Sequence, residues 1–190
     1  LALEELGGRL TLAIQLETTG LRLNEAILKW RALFPALDLH PERLRDRLIE
    51  LVKGRMATAE AKPGALRSLE ICRDAGCRLA IASSSMPEII EAALDRLSAR
   101  SYFQAVVSAE GEEHGKPHPA VYLSAASALG LDPRSCIAFE DSVHGLRSAK
   151  AAGMHCIAVP EEHNRSRSEY GIADRIFHSL EDFHPGHLLR

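Results

Sequence analysis

Long apolar runs are absent from this chain, and that absence excludes the simplest membrane readings. No stretch approaches the roughly 18 apolar residues a bilayer span requires. Aromatic residues are few, at 5% of 190 residues, and neither sign of charge dominates: 26 acidic against 23 basic side chains, a net charge of −3. Nucleic acid and anionic membrane surfaces are therefore not expected partners. Cysteine is scarce too. Cys72, Cys77, Cys136 and Cys156 show no C-x-x-C spacing, which predicts small thiols in a reducing, cytoplasmic setting in place of disulfides or a zinc site. Of the nine histidines, His114 and His118 lie four apart, but Pro117 between them argues against one helical face. A methionine start and a basic-then-apolar leader pattern are also lacking. The chain opens at Leu1 on a helix-like Leu-Ala-Leu-Glu-Glu-Leu pattern, so a start in mid-protein is expected.

What is present has two grammars. Up to Lys62 every periodic segment reads as helix: Ile27, Trp30 and Phe34 follow 3–4 spacing, as do Leu44, Leu48 and Leu51. Pro35 and Pro41 separate those two helices, with His40-Pro41 a helix entry. Charges in this part are mixed, ten basic and nine acidic, which describes ordinary solvated faces. After Pro63-Gly64 short apolar strands alternate with helices. Helix is expected over 65–75, stopped by Gly76, and from Pro87 through Leu97. It is expected again over 119–129, closed by Gly130, and over 142–152, stopped by Gly153. Strands are expected at 78–82, 105–108, 136–140 and 156–159. The last stretch is polar and weakly patterned. The fold class is therefore α/β, a parallel sheet flanked by helices in the Rossmann-like manner. An all-helical unit over 1–62 precedes the α/β core of 63–190.

Residues 136–145, Cys-Ile-Ala-Phe-Glu-Asp-Ser-Val-His-Gly, are the most informative. A buried strand ends in two adjacent carboxylates, Glu140 and Asp141, just before a helix, at the edge where open α/β sheets bind ligands. Two adjacent acids need a cation or a strong donor, and Mg²⁺ suits oxygen ligands. The plainer reading makes Asp141 or Ser142 a helix cap and leaves Glu140 solvated. Two more post-strand loops fall on the same edge. Ser83-Ser84-Ser85 offers hydroxyls and backbone N–H groups to a phosphate, or simply caps a helix. In Gly115-Lys116-Pro117-His118-Pro119, two prolines stiffen the loop that carries Lys116, which is otherwise a surface lysine. A hydroxyl, a fixed ammonium and an acid pair are components for handling a phosphoryl group.

These motifs resemble the haloacid dehalogenase superfamily of phosphohydrolases, and within it the β-phosphoglucomutase and sugar-phosphate phosphatase branch with a helical cap. Ile-Ala-Ser-Ser-Ser at 81–85, Gly-Lys-Pro-His-Pro at 115–119 and Phe-Glu-Asp-Ser-Val-His-Gly at 139–145 carry the likeness. Residues 1–62 resemble the cap, with Thr19-Gly20-Leu21-Arg22 as its substrate-facing loop. The resemblance implies that Ser83, with the backbone of Ser84, binds the phosphoryl oxygens. Lys116 would neutralise the phosphate and the nucleophile. Asp141, with Glu140 directly or through water, would hold Mg²⁺, and Arg22 would touch the sugar or its phosphate, unless it is a surface arginine. Trp30, read chiefly as core, and Lys53 are weaker substrate candidates. The implied activity is hydrolysis of a small phosphorylated metabolite, a sugar or sugar-alcohol phosphate, through an aspartyl-phosphate. A monomer is the default of this branch.

One departure matters. The family opens with a central strand ending in Asp-x-Asp-Gly, whose first aspartate is the nucleophile, and no Asp-x-Asp occurs here. Asp38, Asp46, Asp74, Asp95, Asp132, Asp174 and Asp182 stand in helix or loop contexts. The expectation is a sheet lacking its first, central strand, and a chain short of roughly 20–30 N-terminal residues and inactive as it stands. A phosphosugar mutase of the same fold and a non-catalytic relative that binds a phosphometabolite or a protein remain alternatives. A dehalogenase fits less well, since its chemistry needs no metal.

Overall fold

The computed structural model describes residues 11–37 and 40–188. The helix expected from Leu1, and Asp38, lie outside the described residues.

Three helices come first. Helix α1 (Leu12–Thr18) is capped by Thr11, whose hydroxyl accepts from the Ile14 N–H. Helix α2 (Leu23–Leu33) starts with the Glu25 carboxylate accepting the Arg22 backbone N–H at 3.1 Å. Helix α3 (Pro41–Met56) begins at Pro41, a residue suited to the first helical position because its missing N–H would go unused there. Ala26, Ile27, Trp30 and Leu44 bury together, with Phe34, Leu48 and Leu51 packed around them. The 3–4 spacing thus marks a real apolar seam, and Trp30 is part of it.

From Ala65 the chain alternates. Helix α4 (Ala65–Asp74) leads to strand β1 (Ala80–Ser83), then α5 (Pro87–Arg96), β2 (Ala105–Ser108) and α6 (Ala120–Leu129). Strand β3 (Ile137–Glu140), α7 (Val143–Ala151), β4 (His155–Ala158) and a two-residue β5 (Arg175–Ile176) complete it. Strands β1 and β2 pair in parallel, as do β3 with β4 and β4 with β5. Among the described residues the strands form two separate sheets, with no ladder between β1 and β3. Helices cover both faces. Ala82 and Ala138 pack against Val121, Tyr122 and Ala126 of α6 and Leu146 of α7. Leu79, Ile137 and Phe139 face Cys72 of α4, and Ile81 faces Leu69 of α4 with Ile90 and Leu94 of α5.

The tail departs from its expected blandness. Phe177 and Phe183 are buried under the second sheet, and the Phe183 ring meets Phe139 edge-on at 5.1 Å. Phe183 stands among polar residues and Phe177 follows a single apolar neighbour, Ile176, so no periodicity announces either, and β5 is too short to carry a pattern. Helix α3 leans on α5, where the Arg96 Nε donates to Ala57 O at 3.1 Å. No helix among the described residues is long and apolar enough to cross a membrane.

Candidate active site

Lys116 is the centre of the site. The loop between β2 and α6 turns its side chain inward, to 6% exposure, over the C-terminal ends of β1 and β3. The ammonium donates to Ala82 O at 3.1 Å and to Glu140 Oε1 at 2.5 Å, and it lies 4.8 Å from the centre of the Tyr122 ring. Ala82 and Glu140 are the chain neighbours of Ser83 and Asp141, so one cation is fixed beside both strand ends.

Glu140 answers the question posed by the acid pair: its strong donor is Lys116. Tyr122 also donates its hydroxyl to Glu140 Oε1, while Oε2 accepts from the Ser142 N–H at 3.4 Å and its hydroxyl at 3.2 Å. Burial, then the Glu140 charge, holds the Tyr122 phenol well above its usual range, so it stays a donor. Room for this carboxylate depends on Gly145, where a Cβ would lie 2.0 Å from the Glu140 carboxyl. The plainer expectation of a solvated Glu140 is therefore corrected: at 8% exposure it is buried and ion-paired. Ser142 does cap α7, its hydroxyl accepting from the Gly145 N–H at 3.0 Å.

Asp141 turns the other way. Its side chain is 54% exposed, 4.0 Å from Lys62 Nζ, and Tyr170 donates its hydroxyl to the Asp141 carbonyl at 2.5 Å. Partial desolvation, then the Glu140 charge, raises the Asp141 carboxyl above the ordinary range, against the pull of Lys62 and Lys116. Among the described residues no group of three or more histidine, cysteine, aspartate or glutamate side chains is set to hold a metal ion.

The serine loop lies on the same edge. Ser83 ends β1, its hydroxyl accepting from the Ser85 N–H at 3.1 Å, while Ser84 spends its hydroxyl on Gly20 O at 2.7 Å. The segment 18–22 thus sits directly on the strand-end loops. Thr19 O is 3.0 Å from His144 Nδ1, and burial pushes the His144 pKa down.

Arg22 is elsewhere engaged. Its guanidinium meets Glu25 Oε1 at 2.6 Å and donates to Glu112 O at 2.9 Å and Ala109 O at 3.4 Å, tying α2 to the segment before Lys116. Gly115 lets the pair approach, since a Cβ there would fall 2.6 Å from Glu25 and 2.8 Å from Arg22. Lys53 is exposed on α3. Tyr122 escaped the sequence reading; its one visible signal is a lone phenol in the alanine-rich helix after the lysine loop.

A family model described as haloacid dehalogenase-like hydrolase matches residues 4–153. The chain belongs to the haloacid dehalogenase-like hydrolases. Over 168 residues, this hydrolase is 35% identical to hexitol phosphatase B of Escherichia coli, covering 86% of this chain and 74% of that protein. It also resembles the crystal structure of CbbY from Rhodobacter sphaeroides in complex with phosphate. There the identity is 29% and the TM-score 0.76, over 90% of this chain and 78% of that one. A β-phosphoglucomutase from Clostridium difficile shares the fold, with a TM-score of 0.82 at 17% identity over 98% and 84% of the two chains.

Proposed function

We propose that this hydrolase chain is the body of a Mg²⁺-dependent phosphatase for a small sugar or sugar-alcohol phosphate, with α1–α3 as its helical cap. The observation that carries this reading is the double anchoring of Lys116, to Ala82 O at 3.1 Å and Glu140 Oε1 at 2.5 Å. A cation fixed between the chain neighbours of Ser83 and Asp141 supplies charge where a transferring phosphoryl group gathers it. Ser83 and the backbone of Ser84 bind its oxygens, and Lys116 neutralises them. The 35% identity to a hexitol phosphatase supports the substrate class.

Asp141 suits Mg²⁺, which takes one or two carboxylates and completes its shell with waters and phosphate oxygens. Its half-exposed carboxyl is raised in pKa by desolvation first and the Glu140 charge second. Bound there, the ion would offset phosphate charge. Glu140, with both oxygens already accepting from the protein, acts on it at most through water. Arg22 serves as a tie between cap and core, its hydrogen-bonding capacity directed at Glu25, Glu112 and Ala109.

Phosphoryl transfer in this class passes through an aspartyl-phosphate that water then cleaves. With no Asp-x-Asp in its sequence, the 190-residue chain is inactive by itself and turns over no chromogenic phosphate ester above background. Joined to an N-terminal segment that supplies a strand ending in Asp-x-Asp, it hydrolyses hexitol phosphates, and Lys116→Ala abolishes that turnover. Activity of the 190-residue chain that disappears with Lys116→Ala would contradict the reading and require another nucleophile. A second reading, a non-catalytic phosphometabolite-binding relative, predicts phosphate binding without turnover in the joined protein.

A further inference from the structure

The phosphatase site uses none of the four thiols, and a helix end holds two of them together. Cys72, Cys77, Cys136 and Cys156 are all free. Helix α4 ends in a Schellman turn: the Cys77 N–H donates to Cys72 O at 2.9 Å, and inside it the Gly76 N–H donates to Arg73 O at 2.9 Å. Gly76 takes the left-handed conformation the turn requires, at φ +73°. This turn fixes a distance. From the Cα of Cys72 through its carbonyl, across the 2.9 Å hydrogen bond to the Cys77 nitrogen and on to its Cα, the span is at most about 6.8 Å. Any bend along that path shortens it, which places the pair within the roughly 4.4–6.8 Å over which cysteines bridge.

The two side chains also turn the same way. In a Schellman turn the residues at the ends of the outer hydrogen bond make apolar contact, and Cys72 and Cys77 pack into one cluster with Leu79, Ile137 and Phe139. Burial, then the charge of Cys77, pushes the Cys72 thiol up to about 11. Cys77 is only half-buried, so it is the thiol that a small reagent meets first. The other two cysteines lie out of range of each other. Cys156 pairs in register with Ala138, two residues beyond Cys136. Strand rise and spacing then separate their Cα atoms by about 8 Å, too far to bridge without moving backbone.

We propose that Cys72 and Cys77 form a thiol-exchange site, which a low-molecular-weight disulfide oxidises to a reversible bridge across the end of α4. Cys77 attacks first as its thiolate, bonding to one sulfur of the small disulfide and expelling the other half as a thiolate. Cys72 then gives its proton to solvent and attacks the Cys77 sulfur, expelling the second half. The protein loses two hydrogens and two electrons; the small disulfide gains both and leaves as two thiols. Proximity makes the second step intramolecular, which offsets the scarcity of the Cys72 thiolate. The bridge clamps α4 to the approach to β1, against Phe139 of the strand that ends in Glu140. The inference stands on the helix end alone and does not require the phosphatase reading.

The test treats the reduced 190-residue chain with oxidised glutathione, alkylates the remaining thiols and maps tryptic peptides. Cys72 and Cys77 are both lost to alkylation. Trypsin cuts after Arg67, Arg73 and Arg78, so the bridge appears as peptide 68–73 joined to peptide 74–78, and a reductant parts them. Cys72→Ser keeps glutathione on Cys77, and Cys77→Ser leaves Cys72 open to alkylation. Because the folded turn holds the sulfurs together, the native chain is half-bridged at a ratio of oxidised to reduced glutathione about tenfold or more below that of the urea-unfolded chain. Three outcomes overturn the proposal: both thiols still alkylated at saturating oxidant; glutathione resting on Cys77 of the wild type beside an alkylated Cys72; or the same ratio for native and unfolded chains, which assigns closure to the local sequence alone. A failed phosphate-ester assay bears on the active-site reading and leaves this result intact.

Discussion

Lys116 and Glu140 form an ion pair at 2.5 Å with both side chains only 6% exposed. Taking two charges from water is costly, and the pair is tolerable because each has further partners: Ala82 O for the ammonium, Tyr122 and Ser142 for the carboxylate. Removing one partner leaves the other buried and unmatched, at a cost of about 3–5 kcal/mol. Lys116→Met and Glu140→Leu should each lower stability by that order in urea unfolding. The double variant should lose clearly less than the sum, because it buries no orphaned charge. Additive losses would mean that the two side chains do not meet.

Gly145 tests the same arrangement sterically. A Cβ would sit 2.0–2.1 Å from the Glu140 carboxyl atoms. That carboxylate is held on three sides, so it has nowhere to retreat without giving up Lys116. Gly145→Ala should cost about 1–3 kcal/mol, seen as a fall in Tm of roughly 2–4 °C per kcal/mol for a chain of this size. An unchanged Tm would place Glu140 elsewhere.

How much of this was legible in the sequence depends on the range of each interaction. Strand ends and helix stops at Ser108, Gly76 and Gly130 follow from local chemistry, and they fall within a residue or two of expectation. The convergence of the serine loop, Lys116 and the acid pair on one sheet edge follows from parallel topology. What stayed hidden was which acid Lys116 meets. Glu140 and Asp141 look alike in sequence, and strand alternation sends one inward and the other to solvent. Tyr122, Phe177 and Phe183 were hidden for a related reason, since each acts through a contact distant in the chain that no local pattern encodes. The resemblance offers Arg22 to the substrate or to the surface, whereas its partners are Glu25 and two backbone carbonyls about ninety positions away.

Arg22 as a tie makes its own prediction. Its guanidinium holds Glu25 against Gly115 and bonds the carbonyls of Ala109 and Glu112. Bonds of this charged kind contribute about 1.5–3 kcal/mol when partly buried. Arg22→Ala should therefore speed amide exchange across 109–116 by about tenfold or more, with Arg22→Lys recovering only part, because an ammonium lacks the fork that reaches three acceptors. If exchange across this segment is the same in wild type and Arg22→Ala, the tie is not what orders the lysine loop.

Asp141 gives the pH dependence. Its folded carboxyl is raised above the ordinary aspartate range by desolvation first and the Glu140 charge second. A raised acid binds its proton more tightly folded than unfolded. Its stabilising contribution is therefore complete below the unfolded pKa of about 3.9 and is lost as pH rises through the folded value. At neutral pH the charged form is a net burden, so Asp141→Asn should raise Tm in metal-free buffer, with the gain shrinking as pH falls towards the ordinary aspartate range. Under the proposed function, Mg²⁺ should invert the comparison. An ion held by the ionised carboxylate relieves the burden, so added Mg²⁺ should raise the Tm of the wild-type chain by mass action and leave Asp141→Asn where it was. Thermal melts at neutral and acidic pH, with Mg²⁺ and with chelator, read all of these arms. An Asp141→Asn chain that gains as much from Mg²⁺ as wild type would remove Asp141 from the metal-holding role.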